Sequence, residues 1–333
     1  MERTNRAYLR RIRYALQWLI FAMVLYSGYR FFVFVRELEQ GLIPSVSRPP
    51  SIEGFMPIGA FMALKLWIAK NVFDPVHPAG LVIFIGALLL ALLLKKSFCG
   101  WICPVGTLSE GVWKIGKRTL GRNFTLPVYI DYPLRSIKYL LMAFFVYVIL
   151  VRMSPTAIEA FLNTPYWKVA DIKLLRFFTN MSSTTMVTLI VLFVLSLLYK
   201  NFWCRYLCPY GALLGLLSYL SPFKIRRNET KCISCGACSR NCPSLLPVDK
   251  RRVIHSPECN GCLTCVSNCP AKGALDMGVT GRYRIRPEFF IVSVMVLFFS
   301  LILIARMTGN WHSGVSYDEL RSLVPYIDRL SHP

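Results

Sequence analysis

The twelve cysteines of this chain fall into four motifs, and their spacing sets the chemistry open to it. Two tandem runs read Cys232-Ile-Ser-Cys235-Gly-Ala-Cys238-Ser-Arg-Asn-Cys242-Pro243 and Cys259-Asn-Gly-Cys262-Leu-Thr-Cys265-Val-Ser-Asn-Cys269-Pro270. Two shorter motifs read Cys99-Gly-Trp-Ile-Cys103-Pro104 and Cys204-Arg-Tyr-Leu-Cys208-Pro209. Thiolates are soft metal ligands. Structural zinc favours separated CxxC pairs or mixtures of Cys and His, which tandem runs closed by Cys-Pro fit poorly. A cubane iron–sulfur cluster needs an outer thiolate on each iron, and cysteines at i, i+3 and i+6 wrap a loop around three corners. Gly236 and Gly261 lie in those loops, where close backbone approach to sulfide is useful.

The tandem runs resemble the signature of bacterial two-cluster ferredoxins, in which the fourth cysteine of each run serves the other cluster. That resemblance implies two 4Fe–4S clusters. One would use Cys232, Cys235, Cys238 and Cys269, the other Cys259, Cys262, Cys265 and Cys242. The basic residues nearby, such as Lys231, Arg240 and Lys250–Arg252, have two readings. One is the bias of a membrane protein's cytoplasmic side, and the other is docking of an acidic redox partner or anionic lipid.

The shorter motifs space Cys99 from Cys103 and Cys204 from Cys208 at i, i+4, on one face of a helix. Pro104 and Pro209 disfavour helical geometry at Cys103 and Cys208, so each helix should end or kink there. Convergence of the four thiols would make a third metal centre or a pair of redox-active dithiols. The bland alternative is inert cysteines marking a helix stop.

The elements that must position these thiols are mostly apolar. Of 333 residues, 55% are hydrophobic and only 17% charged, against about 25% charged in an average soluble chain. Five stretches approach the ~20 residues that a membrane span needs. They run over about 14–35, 78–94, 134–152, 185–199 and 289–305. The second is expected to continue as helix to Cys103. The first lacks a small-residue cleavage site and reads as an anchor. Lys138, inside the third, is expected to snorkel to the interface. The interrupted stretch 55–69 reads as a re-entrant or interfacial helix. The expected fold class is mainly α: a polytopic helical membrane protein with about five spans and a small α+β two-cluster ferredoxin-like insert. The expected division is 1–223 as membrane domain, 224–286 as the cluster insert, and 287–333 as the last span with an outer tail.

Net charge is +22, which in a membrane protein reflects basic cytoplasmic loops rather than nucleic-acid binding. Alternate inter-span segments carry 26 Lys and Arg on one side and 10 on the other. The N-terminus and cluster insert are therefore expected in the cytoplasm and the C-terminus in the periplasm. There is an internal repeat. Leu94–Leu108 and Tyr199–Leu213 each close a span with a basic residue, an aromatic and CxxxCPxG. This suggests similar halves related by an axis along the membrane normal. Amphipathic stretches, about 107–120 and 212–225, follow the two motifs.

Taken together, the two CxxxCP motifs and the two four-cysteine runs, spanning about Phe98 to Met277, resemble a bacterial family of polyferredoxin-like membrane proteins. The family includes the membrane quinol dehydrogenase subunit of periplasmic nitrate reductase, the membrane regulator of nitrous oxide reductase, and the copper-reducing accessory protein of cytochrome oxidase. The resemblance implies the bacterial inner membrane, quinol oxidation, electron transfer to a redox partner protein, and a periplasmic acceptor or maturation target. A quinol dehydrogenase subunit drawing on the quinol pool is the leading expectation. A metal (copper) reductase or maturation factor and a redox-sensing regulator are the alternatives. His77 and, more weakly, Glu53 are candidates for handling a quinol proton. His312 and His332 lack metal-ligand spacing, and no GxGxxG or P-loop occurs. The C-terminal segment from Asp318 reads as a short amphipathic helix.

Overall fold

An apolar segment in lipid must satisfy its own backbone polar groups, so long hydrophobic stretches close into helices. The computed structural model describes residues 6–279 and 284–332. Arg3 of the basic arm, residues 280–283 of the insert and Pro333 lie outside the described residues. The helices are α1 (Ala7–Glu39), α2 (Pro57–Lys70), α3 (Pro78–Leu94), α4 (Ser97–Trp101), α5 (Pro104–Leu120) and α6 (Val128–Tyr147). There follow α7 (Pro155–Leu162), α8 (Pro165–Lys168), α9 (Ala170–Thr179), α10 (Ser183–Leu198) and α11 (Pro209–Leu220). The last are α12 (Ala237–Arg240), α13 (Thr264–Ser267), α14 (Pro287–Met307) and α15 (Tyr317–Leu323). A small antiparallel sheet has the order β1 (Lys224–Arg227), β2 (Leu275–Gly278), β3 (Arg284–Ile285).

Among the described residues, three helical segments are long and apolar enough to cross a membrane: Ala7–Glu39, Val128–Arg152 and Pro287–Met307. The other two expected spans, α3 and α10, have 17 and 16 residues. α10 bends 78° from α9 across a short break. The expected continuation of the second span to Cys103 is corrected. α3 stops at Leu94 because Lys95 takes a left-handed φ of 61°, and the five-residue α4 starts afresh at Ser97. The amphipathic stretch after the second motif ends at Leu220, short of the expected 225, because β1 begins at Lys224.

The chain packs as two compact units. One comprises Met1–Phe21, Ala87–Met142 and Thr188–Phe298, the other Ala22–Gly86, Ala143–Val187 and Phe299–Pro333. The chain passes between them within α1, α3, α6, α10 and α14, the five apolar stretches singled out in the sequence.

The first unit holds all twelve cysteines. β1 and β2 bracket the two four-cysteine runs, with Ile225 opposite Met277 and both buried, so their pairing ties the ends of the insert together.

The second unit is built on apolar side chains. Phe31, Phe34 and Leu38 of α1 pack with Val169, Ile172 and the tail residues Leu320 and Val324. The tail helix α15 is capped by Ser316, whose hydroxyl accepts from the Glu319 amide. A second core joins Met62 and Leu66 of α2 with Leu81, Ile158 and Trp167. Lys65, the charge that interrupts the α2 stretch, donates to the carbonyls of Ile149, Leu150 and Met153 at 2.9, 3.0 and 2.5 Å. It thereby satisfies the widened last turn of the α6 segment, where carbonyls lack helical partners. Replacing Lys65 with Met should cost about 1–3 kcal/mol by leaving these carbonyls without a donor. Lys65→Arg should restore most of it. The check is denaturant unfolding in detergent micelles; equal midpoints for Lys65→Met and wild type would contradict the capping role.

Candidate metal centres

Each CxxC loop of the insert turns on two residues of positive φ. They are Ser234 (54°) and Gly236 (67°) in the first loop, and Gly261 (59°) and Leu263 (56°) in the second. The positions match relative to the first cysteine of each run, so the loops follow one backbone path. A bulky residue such as Leu263 rarely adopts this conformation, and strain of this kind persists where a functional geometry demands it. Successive turns of this sort form concave nests of backbone N–H groups that suit an anion. The short helices α12 and α13 follow, and each carries its chain to the fourth cysteine. The amide of Cys242 donates to Ser239, and that of Cys269 to Val266.

Each fourth cysteine lies beside the cysteines of the other run. A small cavity is lined by Cys259, Cys262 and Cys265 of the second run together with Cys242 of the first. Burial pushes the Cys242 thiol up to about 12, and the nearby Cys262 and Cys259 add to it. Cys269 is raised first by burial and then by Cys238, Cys235 and Cys232, the cysteines of the first run. The two sets differ in exposure. Cys242, Cys259 and Cys265 are buried, whereas none of Cys232, Cys235, Cys238 and Cys269 is, and Cys235 is exposed.

Four thiolates on one zinc ion, each at about 2.3 Å, would stand about 3.8 Å apart. Among the described residues no three His, Cys, Asp or Glu side chains converge on such a single-ion site. Four thiols and no histidine or carboxylate line the cavity, and that soft donor set fits an iron–sulfur cluster.

The CxxxCP motifs also gather. Cys103 (ψ 120°) and Cys208 (ψ 103°) are extended, as the following prolines require, and each precedes a helix whose first residue is that proline. The Gly211 amide donates to Cys208 Sγ at 3.2 Å. The glycine of the first CxxxCPxG has a steric reason, since a Cβ on Gly106 would lie 2.6 Å from the Cys99 carbonyl oxygen. Burial raises the Cys204 thiol well above its ordinary value, with Cys208, Cys103 and Cys99 adding to the effect. Cys99 is pushed up to about 12 by burial against the opposing pull of Lys96. The four thiols are thus electrostatic neighbours, contributed by both halves of the repeat.

Both motifs dock on the loops around the Cys242/Cys259/Cys262/Cys265 cavity. Trp101 Nε1 donates to the Gly261 carbonyl at 3.2 Å. A Cβ on Gly100 would meet the Asn260 carbonyl oxygen at 2.8 Å, so only glycine fits there. Buried Arg13 donates to the Gly100 carbonyl at 3.1 Å and to Thr264 Oγ1 at 2.8 Å, and it pairs with Glu110. From the second motif, Arg205 reaches the Ser244 carbonyl at 2.8 Å while its other nitrogens grip Asp131 at 2.9 and 2.8 Å.

Buried charges complete the site. Lys138 does not snorkel, which corrects the sequence expectation. It is fully buried and bonds Glu258 Oε2 at 2.7 Å, while Tyr139 donates to Glu258 Oε1 at 2.7 Å. Burial acts to raise the Glu258 pKa, but Lys96 and Lys138 outweigh it and hold the carboxyl down at about 2. Lys96 is also buried, and a Cβ on Gly211 would lie 3.6 Å from its Nζ and 3.4 Å from Cys208 Sγ. With the four thiols neutral, Lys96 and Lys138 would share a single carboxylate. Thiolates around a metal centre would supply the missing negative charge, so the donor set and its surroundings fit an anionic iron–sulfur group.

In the other unit the structure brings together two candidates that the sequence reading treated separately. His77 and Glu53 are both buried, with His77 Nδ1 3.7 Å from Glu53 Oε1. His77 Nε2 donates to the Trp167 carbonyl at 2.8 Å, and the Gly80 amide donates to Glu53 Oε2 at 3.0 Å. Burial raises the Glu53 pKa despite His77. For His77, burial opposes the cation, yet Glu53 and Asp171 hold its pKa above the ordinary imidazole value. Arg48, which sequence reasoning missed, pairs with Asp171 at 2.7 Å and lies 3.5 Å from His77 Nδ1. His312 and His332 are not part of this group.

A family profile described as a 4Fe-4S binding domain matches residues 76–123 and 184–228, the two half-repeats. A second, described as a 4Fe-4S dicluster domain, matches 224–270. The putative electron transport protein YccM of Escherichia coli (strain K12) is 41% identical over 327 residues, covering 96% of this chain and 91% of that protein. The ferredoxin-type protein NapH of Haemophilus influenzae is 28% identical, covering 57% of this chain and 59% of its own length. Protein NirI of Paracoccus denitrificans is 31% identical over 49% of this chain and 23% of its own. No solved structure matches the chain.

Substituting Glu258 by Gln should leave Lys96 and Lys138 buried beside no carboxylate. The expected loss is about 3–5 kcal/mol of stability, the usual cost of removing one partner from a buried pair. Thermal unfolding of the detergent-solubilised protein reads it as a lower Tm, and an unchanged Tm would contradict the charge balance.

Proposed function

This chain belongs to the polyferredoxin-like family of 4Fe–4S electron-transport proteins, and on that premise we propose that it is a membrane-bound quinol dehydrogenase subunit that passes electrons to a partner protein. Residues 224–286 form its two-cluster insert. Cys232, Cys235, Cys238 and Cys269 hold one cluster, and Cys259, Cys262, Cys265 and Cys242 hold the other. Cys99, Cys103, Cys204 and Cys208 hold a third centre. Bound iron–sulfur clusters supply one-electron redox states. The thiols bind them, the left-handed loop residues shape the backbone around them, and Lys96 balances their charge at the third site.

The observation that carries this reading is the docking of both CxxxCP motifs on the loops of the same buried cavity. Gly100, Trp101 and Arg205 bring the half-repeats against the chain that carries Cys242 and Cys262. That contact supports a relay in which the half-repeats and the insert act in series. Quinol oxidation releases protons with its electrons, and the Glu53–His77 pair, raised in pKa on both members, is suited to receive one. Five helical passages, α1, α3, α6, α10 and α14, cross the bacterial inner membrane. The 26-to-10 distribution of basic residues puts the N-terminus and insert in the cytoplasm and the C-terminus in the periplasm.

Anaerobically purified protein should contain about eight irons per chain for the insert, and more with a third cluster. Serine at both Cys103 and Cys208 should leave the insert's two cluster signals present under dithionite while abolishing reduction by a quinol analogue that reduces wild type. Normal quinol reduction in that variant would reject the third centre as a link. Wild-type protein that dithionite reduces and quinol does not would reject the quinol dehydrogenase reading itself.

A further inference from the structure

The two four-cysteine sets of the insert face different surroundings, and the difference assigns them different neighbours in a relay. The Cys242/Cys259/Cys262/Cys265 set lies under the contacts made by Gly100, Trp101 and Arg205. The other set opens outward. Cys235 is exposed, its neighbour Ile233 is 46% exposed, and Ser234 between them is exposed as well. A single electron passes between proteins only where a redox centre comes close to the surface, and among the described residues of the insert the 233–236 loop offers such a place.

The rim of the loop is basic. Lys231, Arg240, Lys250, Arg251 and Arg252 are all exposed. Two flank the cysteine set directly. A Cβ on Gly236 would lie 2.9 Å from the Arg240 guanidinium, and one on Gly273 would lie 3.7 Å from Lys231 Nζ. The local carboxylates are engaged. Glu229 pairs with Arg227 and Arg252, and the Asp249 carboxylate accepts from the Ser239 hydroxyl, which in turn accepts from the Asp249 backbone amide. An exposed isoleucine beside an exposed thiol, flanked by Arg240 and Lys231, has the composition of a transient redox docking site: a small apolar centre with charge beside it for steering.

We propose that the exposed face of the Cys232/Cys235/Cys238/Cys269 set docks a soluble one-electron carrier protein with an acidic face. The inference rests on the cluster assignment above. No bond forms or breaks in the encounter. One electron passes, the carrier changing by one oxidation level and the insert by one in the opposite sense. Electrostatic steering makes the association rate depend on salt, because exposed charges are screened beyond about 8–10 Å at physiological ionic strength.

The test uses the full-length, cluster-loaded protein in detergent. It is reduced with dithionite, freed of excess reductant and mixed in stopped flow with an oxidised flavodoxin, an acidic carrier, or with cytochrome c, a basic one. With flavodoxin the second-order rate should fall about tenfold between low salt and about 0.5 M salt. The triple change Lys231→Glu, Arg240→Glu, Arg251→Glu should lower the low-salt rate by a similar factor, and cytochrome c should show the opposite response to that change. Cluster signals in electron paramagnetic resonance should match wild type. A wild-type flavodoxin rate indifferent to salt would overturn the proposal without reference to any variant. So would a variant with intact cluster signals and an unchanged rate that has lost binding to anionic phospholipid vesicles, since the patch would then serve the bilayer. Wild-type protein lacking cluster signals would overturn the ligand assignment, and the docking site with it.

Discussion

A buried carboxylate, Glu258, stands where the helical half-repeats and the cysteine-rich insert meet. It immediately precedes Cys259, bonds Lys138 and Tyr139 of α6, and lies in the field of Lys96. Burying charge in a poorly polarisable environment is costly unless partners are close and well oriented. Such an arrangement adds little net stability over apolar packing, but it is intolerant of displacement. The Cys259 loop, α6 and the segment before Cys99 are therefore held in register by the same few atoms. Arg13 with Glu110 and Arg205 with Asp131 repeat the device on either side, each sending a remaining N–H to a backbone carbonyl of a cysteine motif or the insert. Three buried ionic contacts thus do what a hydrophobic interface alone does poorly: they fix the relative positions of redox ligands carried by distant parts of the chain.

What was legible in the sequence was local. The cysteine spacings, the prolines that follow them and the period of the apolar stretches all act within a few residues. Accordingly Cys103 and Cys208 are extended, α5 and α11 begin at Pro104 and Pro209, α1 and α14 cover the first and last expected stretches, and α6 with the π-type turn Val148–Arg152 covers the third. The break at Lys95 was not legible. Lysine has no special preference for a left-handed backbone, and the turn is anchored by the Ser221 hydroxyl, which accepts from the Lys95 amide at 2.9 Å across 126 residues of sequence. The pairings of Arg13, Lys138 and Arg205 were hidden for the same reason, because a partner 74 to 120 residues away leaves no periodic trace. A cation inside an apolar stretch was the one available signal. For Lys138 the membrane interface offered a simpler destination than a carboxylate in the insert.

The internal repeat is closer in sequence than in shape. The first half reaches its cysteine pair through α4, the second through a wider π-type turn at Trp203–Leu207. Each uses a different side chain to reach the insert, a tryptophan and a glycine in one and an arginine in the other. Two similar motifs thereby present their thiols to one another while gripping separate loops around one cavity. Three of the cavity's four thiols are buried and none of the second set's is, so the insert has an inward and an outward side defined by its own side chains.

The proposed exchange of fourth ligands between the two runs would put Cys242 with the buried set beside both CxxxCP motifs and leave Cys269 with the exposed set. Mössbauer and electron paramagnetic resonance spectra of Cys242→Ser and Cys269→Ser in the full-length protein test it most directly, with clusters distinguished by accessibility to a water-soluble paramagnetic relaxant. Cys242→Ser should perturb the shielded cluster and leave the accessible one intact, and Cys269→Ser should do the reverse. If Cys242→Ser instead removed the accessible cluster, each run would be holding its own cluster, and the relay drawn from the contacts of Gly100, Trp101 and Arg205 would be contradicted.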